Sequence, residues 1–173
     1  MYEKTFPNKR FKHTAEFLQK HISKDSKILD LGVSNPFSDI MKKMGYSVEN
    51  TFGEDLDLDK ATIENSNADV VTAFEIFEHL LSPFTVLQAI KSDKLVASVP
   101  LRLWFSTAYR SKTDMRDRHY HEFEDWQFDW LLEKAGWKII ARDKWTNPTK
   151  KIGIRPILRW FTPRYYIVYA ERI

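Results

Sequence analysis

Apolar residues recur along the chain in two alternating patterns, one with helical spacing and one in short continuous runs. Phe11, Ala15, Leu18 and Ile22 follow helical spacing and predict an N-terminal helix over about residues 10–23. Further helices are predicted after Pro36, after Pro83 and from about Phe123, and strands are predicted at 27–31, 46–49, 68–74, 94–99, 138–145 and 164–170. This alternation predicts a doubly wound α/β fold with a mostly parallel sheet and helices on both faces. We also expect the last strand to be antiparallel.

The stretch 27–44 is the clearest unit in this pattern. A short apolar strand meets Gly32, and apolar residues then repeat at helical spacing over 37–44. Asn35 is predicted to cap this helix and Pro36 to be its first residue. A helix N-terminus at the carboxyl end of a parallel strand presents free backbone N–H groups, which suits an anionic or polar ligand group. The alternative is an ordinary turn that binds nothing.

The segment 101–122 loses this periodicity and is rich in aromatic, basic and histidine residues. Long irregular segments in compact folds are often functional. Because this segment follows the strand 94–99, we expect it to leave the sheet at its carboxyl edge and to form a lid. His79, and His119 and His121 within the segment, are the candidate general bases at neutral pH. For each histidine the alternative is a structural role, in which a neighbour satisfies the ring.

The spacing of His119 and His121 also fits a pair of metal ligands, because the imidazoles of a His-x-His sequence project to one side of an extended chain. No further ligand cluster is apparent in the sequence, so no metal site is predicted. The chain contains no cysteine, which excludes thiolate catalysis and a disulfide framework. It also lacks the Gly-x-Ser-x-Gly elbow of serine hydrolases.

Length and composition indicate a single domain over residues 1–173, with 43% apolar residues including 12 Phe, 7 Tyr and 6 Trp to build a core. The sequence shows no apolar signal core, and no run of about 18 apolar residues occurs. We therefore expect a cytoplasmic protein with no membrane partner. Composition does not indicate an oligomeric state.

Charge is distributed unevenly along the chain. Residues 138–173 contain nine Lys and Arg against two acids, a net charge of +7, whereas the whole chain has a formal net charge of +3 and residues 1–137 therefore carry −4. A basic region with interleaved aromatic residues can hold phosphates and stack bases. A nucleic-acid partner is one alternative for this region, and a solvated basic face over the core is the other.

Four sequence motifs carry a resemblance to a known family. They are Ile-Leu-Asp-Leu-Gly at 28–32, Asp-Val-Val-Thr-Ala-Phe-Glu at 69–75, Phe-Glu-His-Leu-Leu-Ser-Pro at 77–83 and Leu-Leu-Glu-Lys-Ala-Gly-Trp at 131–137. In this order they resemble the class I S-adenosylmethionine (SAM)-dependent methyltransferases, and in particular their small methyltransferase-domain subset. The resemblance implies a Rossmann-like fold, SAM as the cofactor and methyl transfer to an acceptor, which we expect to be a small molecule.

The resemblance also implies roles for individual residues. Asp30 and the backbone at Gly32 would face the methionine end of the cofactor, and Glu75 and His79 would line the pocket beyond the central strand. In the family, an acid after the second strand binds the ribose hydroxyls and one after the third strand lies near the adenine. Glu49 is the candidate for the ribose, and Asp55 or Asp57 for the adenine, although residues 48–68 show no clear third strand.

The turn departs from the family pattern Gly-x-Gly-x-Gly, because this chain has Gly32, Ser34 and Pro36 at the three positions. Either Ser34 and Asn35 supply side-chain hydrogen bonds in place of the two missing glycines, or the pocket is narrowed. A narrowed pocket would suit a different function, that of a non-catalytic methyltransferase-like interaction module.

Overall fold

The computed structural model describes residues 8–148 and 152–173, which contain one six-stranded sheet. The strands are β1 (Lys27–Asp30), β2 (Ser47–Asn50), β3 (Val70–Phe74), β4 (Lys94–Pro100), β5 (Trp137–Thr146) and β6 (Pro163–Arg172). They lie in the order β2-β1-β3-β4-β6-β5. In this described sheet, β6 is antiparallel to both β4 and β5, and the pairs among β1 to β4 are parallel. The predicted antiparallel last strand is confirmed.

Helices cover both faces of the sheet, as predicted. They are α1 (Asn8–His21), α2 (Pro36–Lys43), α3 (Ala61–Glu64), α4 (Pro83–Ala89), α5 (Asp125–Lys134) and α6 (Ile154–Phe161). Buried side chains of α1 and α2, such as Leu18 and Met41, pack against one face. Buried side chains of α3, α4 and α5, such as Leu87 and Leu132, pack against the other. The central strands β3 and β4 are therefore covered on both sides, which explains their continuous apolar sequence.

The turn into α2 forms because its residues satisfy the helix N-terminus locally. The side-chain oxygen of Asn35 accepts the N–H groups of Phe37 at 2.8 Å and Ser38 at 3.3 Å. The Ser38 hydroxyl accepts the N–H of Asn35 in return, and Pro36 occupies the first turn. Gly45, at φ +100°, ends the helix in a left-handed conformation. The predicted boundaries of this helix are confirmed.

Two helices differ from the sequence-based expectation. The polar interval between β2 and β3, which shows no clear third strand in the sequence, contains the four-residue α3 and no strand in the structure, so β2 is the edge of the described sheet. The basic connection between β5 and β6 contains α6, whose apolar residues Ile154, Ile157 and Phe161 are exposed. Pro156 lies in the first turn of α6, where its missing backbone N–H breaks no intrahelical hydrogen bond. None of the described helices combines the length and apolarity needed to cross a bilayer.

Burial on the α4 face predicts a large stability difference between two nearby leucines. Leu87 is 0% exposed and Leu81 is 64% exposed. We expect Leu87→Ala to lower the free energy of unfolding by about 2–5 kcal/mol, because it leaves a cavity in the core. The matched variant Leu81→Ala should change it by less than about 0.5 kcal/mol. Urea denaturation measures both values, and a similar loss in the two variants would contradict this packing.

Candidate active site

A cavity of about 210 Å³ opens at the carboxyl edge of β1, β3 and β4. The turn after β1, the ends of β3 and β4, and helix α1 all contribute to its wall, through Asp30, Gly32, Asn35, Phe74, Glu75, Ser98, Arg10, Phe11 and Thr14 among others. This edge is where open α/β sheets bind their ligands. The structure thus brings four of the predicted site residues together, Asp30, Gly32, Asn35 and Glu75.

The Asp30 carboxylate at this edge accepts three side-chain hydrogen bonds. It is 2% exposed. Its Oδ1 accepts the hydroxyl of Thr72 at 2.7 Å, and its Oδ2 accepts the Ser38 hydroxyl and the Asn50 amide, each at 3.0 Å. Burial raises the pKa of Asp30 to about 6, and the three hydrogen bonds oppose that rise. Asp30 therefore joins β1 to β2, β3 and α2.

Gly32 is required by the geometry of the turn. Its φ is +103°, a conformation that L side chains rarely adopt. Its N–H donates to the Thr51 hydroxyl at 2.7 Å, and its carbonyl accepts the Asn50 amide at 3.3 Å. The peptide groups before and after Gly32 are thus both held by hydrogen bonds, and Gly32 lines the cavity near Ile76.

The two residues expected to replace the missing glycines have different environments. Asn35 lines the cavity, but its side chain caps α2 and its amide nitrogen donates to the Val33 carbonyl at 3.2 Å. Ser34 is exposed on the turn. Asn35 therefore stabilises the turn that forms the cavity wall.

Glu75 lies across the cavity at the end of β3. Its φ is +59°, the one positive value at a non-glycine residue in the described part of the chain. Its Oε1 accepts the Ser98 hydroxyl at 3.0 Å, and its Oε2 lies 3.4 Å from Nη1 of Arg10 on α1. Burial raises the pKa of Glu75, and the Arg10 charge and the Ser98 hydrogen bond oppose this. Strained backbone of this kind is concentrated at functional sites.

The acids expected to contact the ribose and the adenine do not line this cavity. Glu49 is exposed, Asp55 accepts the N–H of Asp57 at 3.0 Å, and Asp57 accepts the N–H groups of Leu81 and Ser82, both at 2.8 Å, at the start of α4. These two aspartates stabilise backbone turns.

The register of β2 explains the position of Glu49. Glu49 pairs with Leu29, and Asn50 pairs with Asp30. Because side chains alternate between the faces of a strand, Asn50 lies on the Asp30 side and Glu49 on the opposite side. Glu49 therefore lies on the side of β2 away from Asp30, and its role toward the ribose stays a prediction.

The three candidate histidines separate into a pair and a single residue. His79 Nδ1 lies 3.0 Å from the carbonyl oxygen of Arg118, and the His79 and His119 rings meet edge to face with centroids 4.7 Å apart. Burial, followed by repulsion from His79, lowers the pKa of His119 to about 4. His121 is separate, with Nε2 3.3 Å from the Leu81 carbonyl oxygen.

The irregular segment 101–122 starts at the end of β4, as expected, and returns beside β3. The N–H groups of Tyr120 and His121 donate to the Glu78 carbonyl, at 2.8 and 3.2 Å. A second cavity, of about 520 Å³, lies within this segment and is lined by Tyr109, Arg110, Ser111, Lys112, Arg118, His119 and Tyr120.

Several residues of the site were not predicted from the sequence. Arg10 and Thr14 belong to a helix that precedes the first strand, and only the packing of α1 brings them to the cavity. Ser98 and Asn50 lie near the carboxyl ends of β4 and β2, and that position in a strand was a usable signal.

In the basic region, Lys150 and Lys151 lie outside the described residues, and Arg155 is exposed on α6.

Comparison with known proteins identifies the fold. No protein-family model matches the chain, and no curated protein matches its sequence. A solved structure of Burkholderia thailandensis 1,6-didemethyltoxoflavin-N1-methyltransferase, with bound 1,6-didemethyltoxoflavin and S-adenosylhomocysteine, is similar with a TM-score of 0.66 and 14% identity, over 94% of this chain and 77% of that one. A SAM-dependent methyltransferase from Archaeoglobus fulgidus also has a TM-score of 0.66 and 14% identity, over 95% and 94% of the two chains.

A third similar structure is that of a cyclase. The cyclase SpnF has a TM-score of 0.58 and 13% identity, over 94% of this chain and 81% of that one. Taken together, these likenesses show that the chain has the fold of the class I SAM-dependent methyltransferases, and the predicted fold is confirmed.

The buried carboxylate of Asp30 predicts a pH dependence of stability. Its pKa in the folded protein, about 6, is above the ordinary 3.8, so the folded state binds more protons between these values. The free energy of unfolding therefore decreases as pH rises from about 4 to about 6. Asp30→Asn should make this decrease smaller, by up to about 3 kcal/mol.

Chemical denaturation at intervals between pH 4 and pH 7 measures the effect. Asp39→Asn, which changes an exposed carboxylate on α2, is the matched control and should keep the wild-type profile. Glu75 and Glu78, whose pKa values are also raised by burial, maintain part of the slope in Asp30→Asn. An unchanged slope in that variant would contradict the assignment to Asp30.

Proposed function

We propose that this protein is a SAM-dependent methyltransferase whose acceptor is a small molecule. The observation that supports this most directly is the cavity at the carboxyl edge, where the Gly32 turn and the buried Asp30 and Glu75 meet in a methyltransferase fold. SAM would supply an activated methyl group carried on a sulfonium. Two carboxylates in the cavity wall complement a ligand that carries positive charge.

The size of the cavity indicates how the chain would accept the cofactor. Sites for ligands of this class measure roughly 300–1,000 Å³, and this cavity measures about 210 Å³. Arg10 on α1 closes one side through its contact with Glu75. We infer that this contact opens when the cofactor enters, so that α1 moves and Glu75 becomes available to ligand hydroxyl or ammonium groups.

Methyl transfer from a sulfonium is an in-line displacement, so the protein chiefly positions the acceptor and excludes water. We place the acceptor beside segment 101–122, whose second cavity has a wall of aromatic and cationic side chains. Such a wall suits a planar or acidic molecule. His79 and His119 are the candidate bases for an acceptor that arrives protonated, and the low pKa of His119 keeps its ring neutral at pH 7.

A second function, a module that keeps the fold without methyl transfer, is favoured by the small volume of the cavity and by the two absent turn glycines. The similar structure of the cyclase SpnF illustrates that this fold also occurs in a protein whose activity is cyclisation. A measurement of cofactor binding distinguishes the interaction-module hypothesis from the methyltransferase hypothesis.

We expect SAM and S-adenosylhomocysteine to bind the wild-type protein, and Gly32→Ala to weaken that binding at least tenfold, about 1.4 kcal/mol. The added Cβ would strain the turn at φ +103° and lie 3.4 Å from Ile76 Cδ1. Isothermal titration calorimetry measures the affinity. Gly45→Ala is the matched control, because Gly45 has φ +100° but lies at the end of α2 with open space around its Cα.

Gly45→Ala should lower stability to a similar extent as Gly32→Ala and leave cofactor affinity within about twofold of wild type. Loss of affinity in both variants would point to a general folding defect. No detectable heat for wild type at millimolar cofactor would overturn the proposed function and favour the interaction module.

We expect segment 101–122 to act as a lid over the acceptor side. Lids order when the pocket fills, because closure excludes water from the reacting groups. Hydrogen exchange should therefore show new protection between Leu103 and Tyr120 when S-adenosylhomocysteine is added. A structural cover would be equally protected from exchange with and without S-adenosylhomocysteine. Unchanged protection, together with proven cofactor binding, would therefore contradict the lid and remove the reason for placing the acceptor near His119.

A further inference from the structure

A second cluster of ionisable side chains lies next to the cofactor cavity, and it combines the two candidate bases His79 and His119 with Glu78, which has no role in the site described so far. Glu78 and His79 belong to the single 3-10 turn that follows β3, and His119 reaches them from segment 101–122. One ligand atom from each residue lies within 4.8 Å of the other two. Glu78 Oε1 and His79 Nε2 are 3.7 Å apart.

Glu78 is buried without a hydrogen-bond donor for one of its oxygens. The residue is 1% exposed, and its Oε2 has no partner within the part of the chain that the structure describes. An unpaired carboxylate in such a place is costly unless it is protonated or meets a cation. A cation that binds Glu78 Oε2 would satisfy this oxygen.

Each of the two histidines can donate a ring-nitrogen lone pair to a metal ion. A carbonyl oxygen only accepts, so the 3.0 Å contact between His79 Nδ1 and the Arg118 carbonyl places the hydrogen on Nδ1 and leaves Nε2 free when the ring is neutral. Metal-bound histidines commonly make this bond, which orients the ring. His119 offers a ring nitrogen within 4.8 Å of the ligand atoms of His79 and Glu78.

We propose that Glu78, His79 and His119 bind one divalent transition-metal ion. Two imidazoles and one carboxylate form a donor set that suits Zn²⁺, Mn²⁺, Fe²⁺ or Co²⁺ better than Mg²⁺ or Ca²⁺, which prefer oxygen ligands. Three protein ligands leave at least one coordination position for water or an acceptor oxygen. His121 lies outside the set, because its Nε2 contacts the Leu81 carbonyl. The proposal does not depend on methyl transfer.

The competing explanation is a purely structural cluster, in which a protonated Glu78 hydrogen-bonds to His79 and no metal binds. The two explanations differ in a direct binding measurement. Full-length protein, treated with a chelator and dialysed, is titrated with Zn²⁺ by calorimetry and with Co²⁺ by visible absorption, in both cases without SAM. We expect one ion per chain, with a dissociation constant of about 10 μM or lower for Zn²⁺.

Three variants assign the ligands. Glu78→Gln keeps the shape of the side chain and removes its charge, and His119→Ala removes one imidazole, so each should weaken Zn²⁺ binding at least tenfold and reduce the Co²⁺ absorption. His121→Ala, on the same segment, is the matched control and should stay within about twofold of wild type. Circular dichroism checks that each variant is folded.

Absence of binding to the wild-type protein at millimolar Zn²⁺ and Co²⁺ would overturn the proposal. So would wild-type affinity in a folded Glu78→Gln variant, or an equal loss in His121→Ala. Because the titrations contain no cofactor, a protein that binds metal but not SAM would support the metal site and contradict the methyltransferase function. The opposite pair of results would do the reverse.

Discussion

The carboxyl edge of the sheet depends on one buried carboxylate, that of Asp30. It is the common acceptor for hydrogen bonds from Ser38 in α2, Asn50 in β2 and Thr72 in β3. These bonds hold four elements in one arrangement around the Gly32 turn. Burying a carboxylate costs free energy, as the raised pKa of Asp30 shows, and that cost is met by packing elsewhere in the core. The turn is thereby pre-formed for a ligand.

Two further carboxylates, Glu75 and Glu78, follow β3, and their electrostatic surroundings differ. Glu75 is paired with Arg10 and with the Ser98 hydroxyl. Glu78 lies beside His79 and has an oxygen without a donor among the described residues. Clusters of perturbed acids at the end of a central strand are typical of functional sites. The contrast between the two glutamates distinguishes the cavity that we propose for SAM from the metal site that we propose next to it.

The site is completed by two segments that are distant from it in sequence. Helix α1 reaches the cavity with Arg10, Phe11 and Thr14, and segment 101–122 brings His119 to His79. Neither contact is required for the sheet to form, because both are made by side chains outside it. The proposed opening of the Arg10–Glu75 contact and the proposed ordering of the lid therefore involve these two segments, while the sheet and Asp30 stay in place.

Local sequence patterns by themselves determined the strands, the helix cap at Asn35 and the turn at Gly32, because periodicity and turn chemistry act over a few residues. Asp30 was indicated by the family resemblance of its motif. Tertiary structure alone decided the rest of the site. The register of β2 put Asn50, and not Glu49, beside Asp30, and packing assigned Asp57 to the start of α4. The folding of segment 101–122 paired His119 with Glu78 and His79 and left His121 apart. Such contacts join residues about 20 to 40 positions apart, and no local pattern specifies which of several acids or histidines will meet.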